Sequence, residues 1–184
     1  MLGGKYIMKT YIALLRGINV SGQKKVPMVE LRNLLSGVGF NNVQTYIQSG
    51  NVVFESLEGN SQKLETDIQK AIKSHFDFEV PVLVKTGGQL KDILSKTPFS
   101  VEKTEKSYFT LLHQKPDDTL VEDVKSLNYP NEEFFITDEC VYFFSTTGYG
   151  NAKCNNNFFE RKLKVGATTR NYKTMVKLLS LCSD

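Results

Sequence analysis

Cysteine and histidine are too scarce in this sequence to build a metal site or a disulfide framework. Cys140, Cys154 and Cys182 are odd in number and lack CxxC spacing, and only His75 and His113 could join them. Cys140 opens an apolar strand and Cys182 lies on an apolar helix, so buried, reduced thiols are expected. Long hydrophobic runs are missing too. No stretch approaches the roughly 20 apolar residues that cross a bilayer, and the run Tyr11–Leu15 is short and cut by Arg16. Neither a membrane span nor a secretory signal is therefore expected, and the reading is a cytoplasmic protein. Residues 1–7 read as an extension before a second start at Met8, and are expected to fray.

Charge of one sign is not in large excess. A net charge of +3 permits an anionic partner without predicting one, because dedicated nucleic-acid domains carry a denser basic patch. Gly17 and Gly22 do not make a GxxxxGK[ST] motif, since Gln23-Lys24 follow where Lys and Ser or Thr are needed, and no glycine-rich dinucleotide fingerprint exists, so no cofactor is expected. Neither histidine has a nearby Ser or Cys in a nucleophile motif, and Asp117-Asp118 read as helix-cap residues. No catalytic residue is assigned.

What the sequence does contain is a pattern that occurs twice. Thr10–Leu15 reads as a strand buried on both sides. Pro27 opens a helix with Met28, Leu31, Leu34, Leu35 and Val38 on one face and Gly39 at its end. Val43–Ile47 and Asn51–Glu55 read as strands joined by a turn at Gln48-Ser49-Gly50. A helix from Asn60 or Ser61 buries Leu64, Ile68, Ala71, Ile72 and Phe76, and Val80–Lys85 closes the unit. The order βαββαβ is the ferredoxin-like plait.

A connector with a short amphipathic helix (Leu90, Ile93, Leu94) ends at Pro98, and the order then repeats. Ser107–Leu112 is a strand, and Asp117 or Asp118 caps a helix carrying Leu120, Val121, Val124 and Leu127. Phe134–Thr137 and Cys140–Ser145 form a hairpin, a helix spans about residues 157–164, and Ala167–Thr169 is a short last strand. The helix Asn171–Cys182 is extra to the unit and is expected to pack across the other half. The fold class is therefore α+β: two ferredoxin-like (α/β-plait) halves, 8–86 and 107–184, a connector at 87–106, and an extra C-terminal helix.

Charge is unevenly distributed along this plan. Acids dominate from Pro116 to Cys140, and bases dominate from Gly148 onward. Solvated helix faces are the favoured explanation of both, with a partner as the alternative.

Three polar stretches sit where strands end. The first loop carries Arg16, Asn19, Lys24 and Lys25 into a helix N-terminus, where backbone N–H groups attract anions. The same loop also reads as a connector with φ > 0 glycines and solvated lysines. Gln48, Ser49 and Asn51 either close the same pocket or form a plain hairpin turn. Arg170 and Asn171 precede the last helix. Capping accounts for Asn171, whereas a cation at a helix N-terminus calls for a carboxylate or an anionic ligand nearby. The aromatic strands Val141–Phe144 and Tyr108-Phe109 have no interleaved basic residues, so packing rather than base stacking is expected.

The runs Ala13–Val20, Lys25–Met28, Thr45–Phe54 and Thr168–Tyr172 together resemble a bacterial family known only as a domain of unknown function (number 1697). The likeness runs from Met8 to Leu181. It departs from the family pattern at Asn151–Cys154, where a Ser-Lys-like segment is usual, and at Tyr172, where Trp is common. The resemblance implies two α/β-plait halves and no established activity, cofactor or catalytic residue. Three functions stay open: a binding protein for a small anionic ligand, nucleotide or nucleic acid at the polar loops; an enzyme acting on a small polar substrate in a cleft between the halves; or a protein–protein interaction module. The sequence leaves the oligomeric state undetermined.

Overall fold

The computed structural model describes residues 7–182. The expectation for the extension before Met8 therefore lies, Ile7 apart, outside the described residues. The chain divides into two compact units. One comprises the described residues up to Leu90 together with those from Leu178 onward, and the other is Lys91–Lys177.

In the first unit the strands β1 (Lys9–Leu15), β2 (Asn41–Tyr46), β3 (Asn51–Ser56) and β4 (Val82–Thr86) form one antiparallel sheet in the order β2-β3-β1-β4. Helices α1 (Met28–Val38) and α2 (Ser61–Phe76) bring Leu31, Leu35, Leu64, Ile68 and Ile72 onto Tyr11, Ala13, Leu15, Val52, Phe54, Val82 and Val84. Strand β1 is buried on both faces, Ile12 and Leu14 included. Each helix ends for a local reason. Asn60 Oδ1 accepts the Gln62 and Lys63 N–H groups at the start of α2, and Asp77 ends it at φ 62°. Gly39 ends α1 at φ 109°.

The second unit repeats the plan. Strands β5 (Tyr108–Leu112), β6 (Glu132–Ile136), β7 (Cys140–Ser145) and β8 (Ala167–Asn171) are antiparallel in the order β6-β7-β5-β8. Helices α5 (Asp118–Lys125) and α6 (Asn156–Leu163) place Val124, Phe158, Phe159 and Leu163 on Leu112, Val141, Phe143 and Ala167. The rings of Phe134 and Phe143 meet Phe159 edge-on. Both sheets have the ferredoxin-like strand order, as the repeated pattern predicts. Helix α3 (Gly87–Ser95), the single turn α4 (Val101–Thr104) and the last helix α7 (Tyr172–Leu181) complete the chain.

Several bounds differ from the sequence reading. Strand β2 begins at Asn41, not Val43, because a bulge between Asn41 and Gln44 breaks the alternation that marks a strand. It ends at Tyr46, since Ile47 has turned to φ 50°. Strand β4 begins after Pro81, whose nitrogen has no hydrogen to donate. Strand β6 starts at Glu132, its acidic residues masking an edge strand, and β8 runs on through Arg170 and Asn171. Helix α4, capped by the Ser100 hydroxyl, is too short to show a period. Phe76 and Ala71 are only partly buried.

After β7 the chain turns through a 3-10 segment, Tyr149–Asn151, and is tied back to β6 by one carboxylate. Glu132 Oε1 accepts the Lys153 N–H at 2.8 Å and Oε2 the Cys154 N–H at 2.9 Å. Partial burial raises the carboxyl pKa, but the two N–H donors outweigh it and hold Glu132 below its ordinary range. Burial first, and Glu132 second, push the Cys154 thiol up to about 12, so it stays protonated. A depressed carboxylate stabilises the fold above its unfolded-state pKa, and that contribution is lost as pH falls through the folded value. Glu132→Gln is therefore expected to cost about 1 kcal/mol at neutral pH. In urea titrations its difference from wild type should begin to shrink as pH falls below the unfolded-state value of about 4.3 and close only once pH has passed the lower folded value, where Glu132 too is uncharged.

Candidate functional site

Three connections of the first unit meet where β1 ends. Leu15 N–H donates to Gly50 O at 2.8 Å, joining β1 to the β2–β3 turn, and Arg16 N–H donates to Pro81 O at 3.0 Å, joining it to the lead into β4. The Asn19 side chain secures this junction. Its Oδ1 accepts the Val26 N–H at 2.8 Å, while Nδ2 donates to Val26 O at 2.9 Å and to Gln48 O at 2.8 Å. The β1–α1 loop is thus pinned to the β2–β3 turn by a residue 29 positions away.

The loop itself is a small hairpin. Asn19 N–H donates to Lys24 O and Gln23 N–H to Val20 O, around Ser21 and Gly22 at φ 50° and 75°. Two consecutive positive φ values are what a type I′ turn requires; Gly22 adopts its value freely, whereas Ser21 does so at a local cost. Lys24, at φ 43°, carries its Nζ to Glu79 O at 2.7 Å. That bond fixes the ammonium's position, and the Glu79 carboxylate, held below its ordinary range first by Lys73 and to a lesser degree by Lys24, offsets part of the charge there. Lys25, Gln48 and Ser49 are exposed, and Arg16 is half-buried.

Asn51 differs from its neighbours. It is fully buried, and its amide donates to Tyr46 O at 3.0 Å and Ser49 Oγ at 2.9 Å. It shapes the turn from within. The structure therefore brings Arg16, Asn19, Lys24, Lys25, Gln48 and Ser49 to one corner, with Asn19 and Asn51 holding it together.

Arg170 and Asn171 belong to the second unit. Asn171 Oδ1 accepts the Thr174 N–H at 2.9 Å, the bond of an N-cap for α7. Arg170 pairs with Phe109 across the sheet and donates from Nη1 to Thr169 O at 2.9 Å. Burial pushes its guanidinium down to about 10, which still leaves it charged at neutral pH.

A model of the family described as "Protein of unknown function (DUF1697)" matches residues 8–142. The chain belongs to the DUF1697 family. A solved structure described as conserved bacterial protein SP0830 from Streptococcus pneumoniae is similar over 96% of this chain and all of that one, with 26% identity and a TM-score of 0.74. No curated protein matches. The family match contains the whole first corner and ends before Arg170.

The second unit of this DUF1697 chain is an internal control for the corner. Its Leu112 N–H donates to Glu139 O and its His113 N–H to Gly166 O, both at 2.9 Å, repeating the Leu15–Gly50 and Arg16–Pro81 joints. The side chains there are of mixed sign and mostly acidic. Asp118 and Asp138 lie 3.3 and 3.6 Å from Lys115, with Asp117 capping α5. The plait thus builds the same backbone junction in a different electrostatic setting, with the lysine there paired to two carboxylates. Among the described residues no group of three or more His, Cys, Asp or Glu side chains could hold a metal ion, and no helix is long and apolar enough to cross a membrane. Phe109, Tyr142, Phe143 and Phe144 are buried, which accounts for the aromatic strands as packing.

The sequence reading missed Val20 and Ile47 at this corner. Ile47 looks like the end of a strand, so nothing flagged it as a turn residue. The reading also could not place the turn against the loop, and Gly50 explains why they sit so close. A Cβ on Gly50 would lie 2.6 Å from Leu15 Cβ and 2.9 Å from Ile18 Cδ1, at a φ of 85°. Gly50→Ala is expected to cost about 2–3 kcal/mol in urea unfolding, whereas Gly22→Ala, where nothing lies within 4 Å, should cost only the strain of its φ, about 1 kcal/mol.

Proposed function

We propose that this protein is a binding module for an anionic ligand, a nucleotide or nucleic acid being the class whose phosphates suit it. The ligand is met at the corner of the first unit by Arg16, Lys24 and Lys25, with Gln48 and Ser49 at the rim. The internal control carries this reading: the equivalent backbone joints in the second unit carry Asp117, Asp118 and Asp138 around a single Lys115, so the fold does not by itself dictate the basic character of the first corner. Asn19 and Asn51 keep the cations in register by holding the loop to the turn. Arg170, with Asn171 beside it, is a further candidate contact and lies in the second unit.

Phosphate contacts by lysines release counterions, so affinity should fall steeply with salt. Lys24→Ala/Lys25→Ala is expected to weaken binding of a labelled oligonucleotide roughly tenfold and to flatten the slope of log affinity against log salt by roughly 1.4. Lys24→Arg/Lys25→Arg should restore most of both. Fluorescence anisotropy across a salt series reads the two quantities together. An affinity and slope indifferent to both double variants would remove the corner from any binding role.

A further inference from the structure

The corner contains one residue that breaks two rules at once. Ile47 is β-branched yet sits at φ 50°, a region such side chains strongly disfavour, and it leaves 50% of its surface in water. Val20, next to the Asn19 that bonds Gln48 O, is 59% exposed. The fold does not impose this. The second unit closes its equivalent turn through Thr137, Asp138 and Glu139, none of which has a positive φ. Asn or Gly at position 47 would relieve the strain and remove the exposed apolar surface.

An apolar side chain held out in a strained conformation, on the turn that Asn19 ties to the lysine-bearing loop, suits a ligand that is both anionic and apolar. Resting on the anion-binding reading above, we infer that the corner binds single-stranded nucleic acid: Ile47 and Val20 pack on a base while Lys24 and Lys25 meet the flanking phosphates. Three observations favour this occupant. Charge complementarity calls for an anion. The exposed carboxamides of Gln23 and Gln48 offer a donor and an acceptor each, which matches a base edge, whereas an acidic peptide side chain offers acceptors only. Val20, Lys24, Lys25, Ile47, Gln48 and Ser49 are all exposed, and an outward-facing corner cannot enclose a free nucleotide as a small-molecule site does. A strand is different: it crosses such a surface, and only unpaired bases present their faces to it.

The test compares a labelled 12-residue single-stranded DNA with an abasic strand of the same phosphate count, using wild type and Ile47→Asn, with melting temperatures measured in parallel. Wild type should bind the base-bearing strand roughly tenfold more tightly than the abasic one. Ile47→Asn should erase that difference, leave abasic affinity unchanged, and melt about 2–4 °C higher. Equal wild-type affinity for the two strands overturns the base contact while leaving the anion reading intact. Parallel loss on both strands with a lower melting temperature makes Ile47 a structural residue and likewise overturns it. No binding to either strand overturns the inference and removes nucleic acid from the anion reading as well. Tighter binding of polyglutamate than of the base-bearing strand overturns the inference in favour of a protein partner.

Discussion

The carboxamide of Asn19 is the joint on which the corner of the first unit depends. One side chain satisfies both backbone groups of Val26 and reaches the Gln48 carbonyl of another connection. Without it, the hairpin from Asn19 to Lys24 would lose its side-chain tie to the β2–β3 turn, and the loop that carries Lys24 and Lys25 would no longer be bonded to Gln48 next to Ile47. The left-handed values at Asn19, Ser21, Gly22 and Lys24 fit the same constraint. A short segment that must double back on itself and still enter α1 has few other conformations. Gly50 is the complementary requirement, because only a residue without a Cβ lets the turn press against Leu15 and Ile18.

Duplication separates what the plait requires from what this corner adds. Both units close β-strand ends with the same pair of backbone bonds, and both bury apolar helix faces on one face of a four-stranded sheet. Only the first inserts a longer loop between its first strand and helix, from Arg16 to Pro27, where the second passes from His113 to Asp117 in a few residues. The extra length carries Val20, Lys24 and Lys25, and it costs strained dihedrals that the shorter connection avoids. Structure retained at a local energetic cost is where a functional reading has most weight.

The plan of the fold was legible because its cues are local and periodic. Leu31 and Leu35, and Leu64, Ile68 and Ile72, recur at helical spacing, while Asn60 and Gly39 mark ends by capping chemistry. Edges were less legible. Asn42 in the β2 bulge, Glu132 and Glu133 on β6, and Thr168–Asn171 on β8 lack strand-like alternation, because edge strands tolerate polar residues that central strands do not. The candidate residues were identifiable by type, but Asn51 was misjudged in kind. Its polar side chain looks like a surface group, and only the three-dimensional turn shows it wholly buried and bonded to Tyr46 and Ser49. The meeting of loop and turn could not be read, since it rests on the Asn19–Gln48 bond and on the close approach of Gly50 to Leu15 and Ile18, long-range contacts that leave no period in the sequence.

The most direct test of the Asn19 joint is native-state hydrogen exchange at the Val26 amide. A rigid corner predicts that Val26 N–H exchanges as slowly as the Leu15 amide of β1, and that Asn19→Ala accelerates Val26 by at least tenfold while Leu15 changes little. A Val26 amide that exchanges in wild type at the rate of an open loop would contradict the account, because the carboxamide would then not be holding the two connections together.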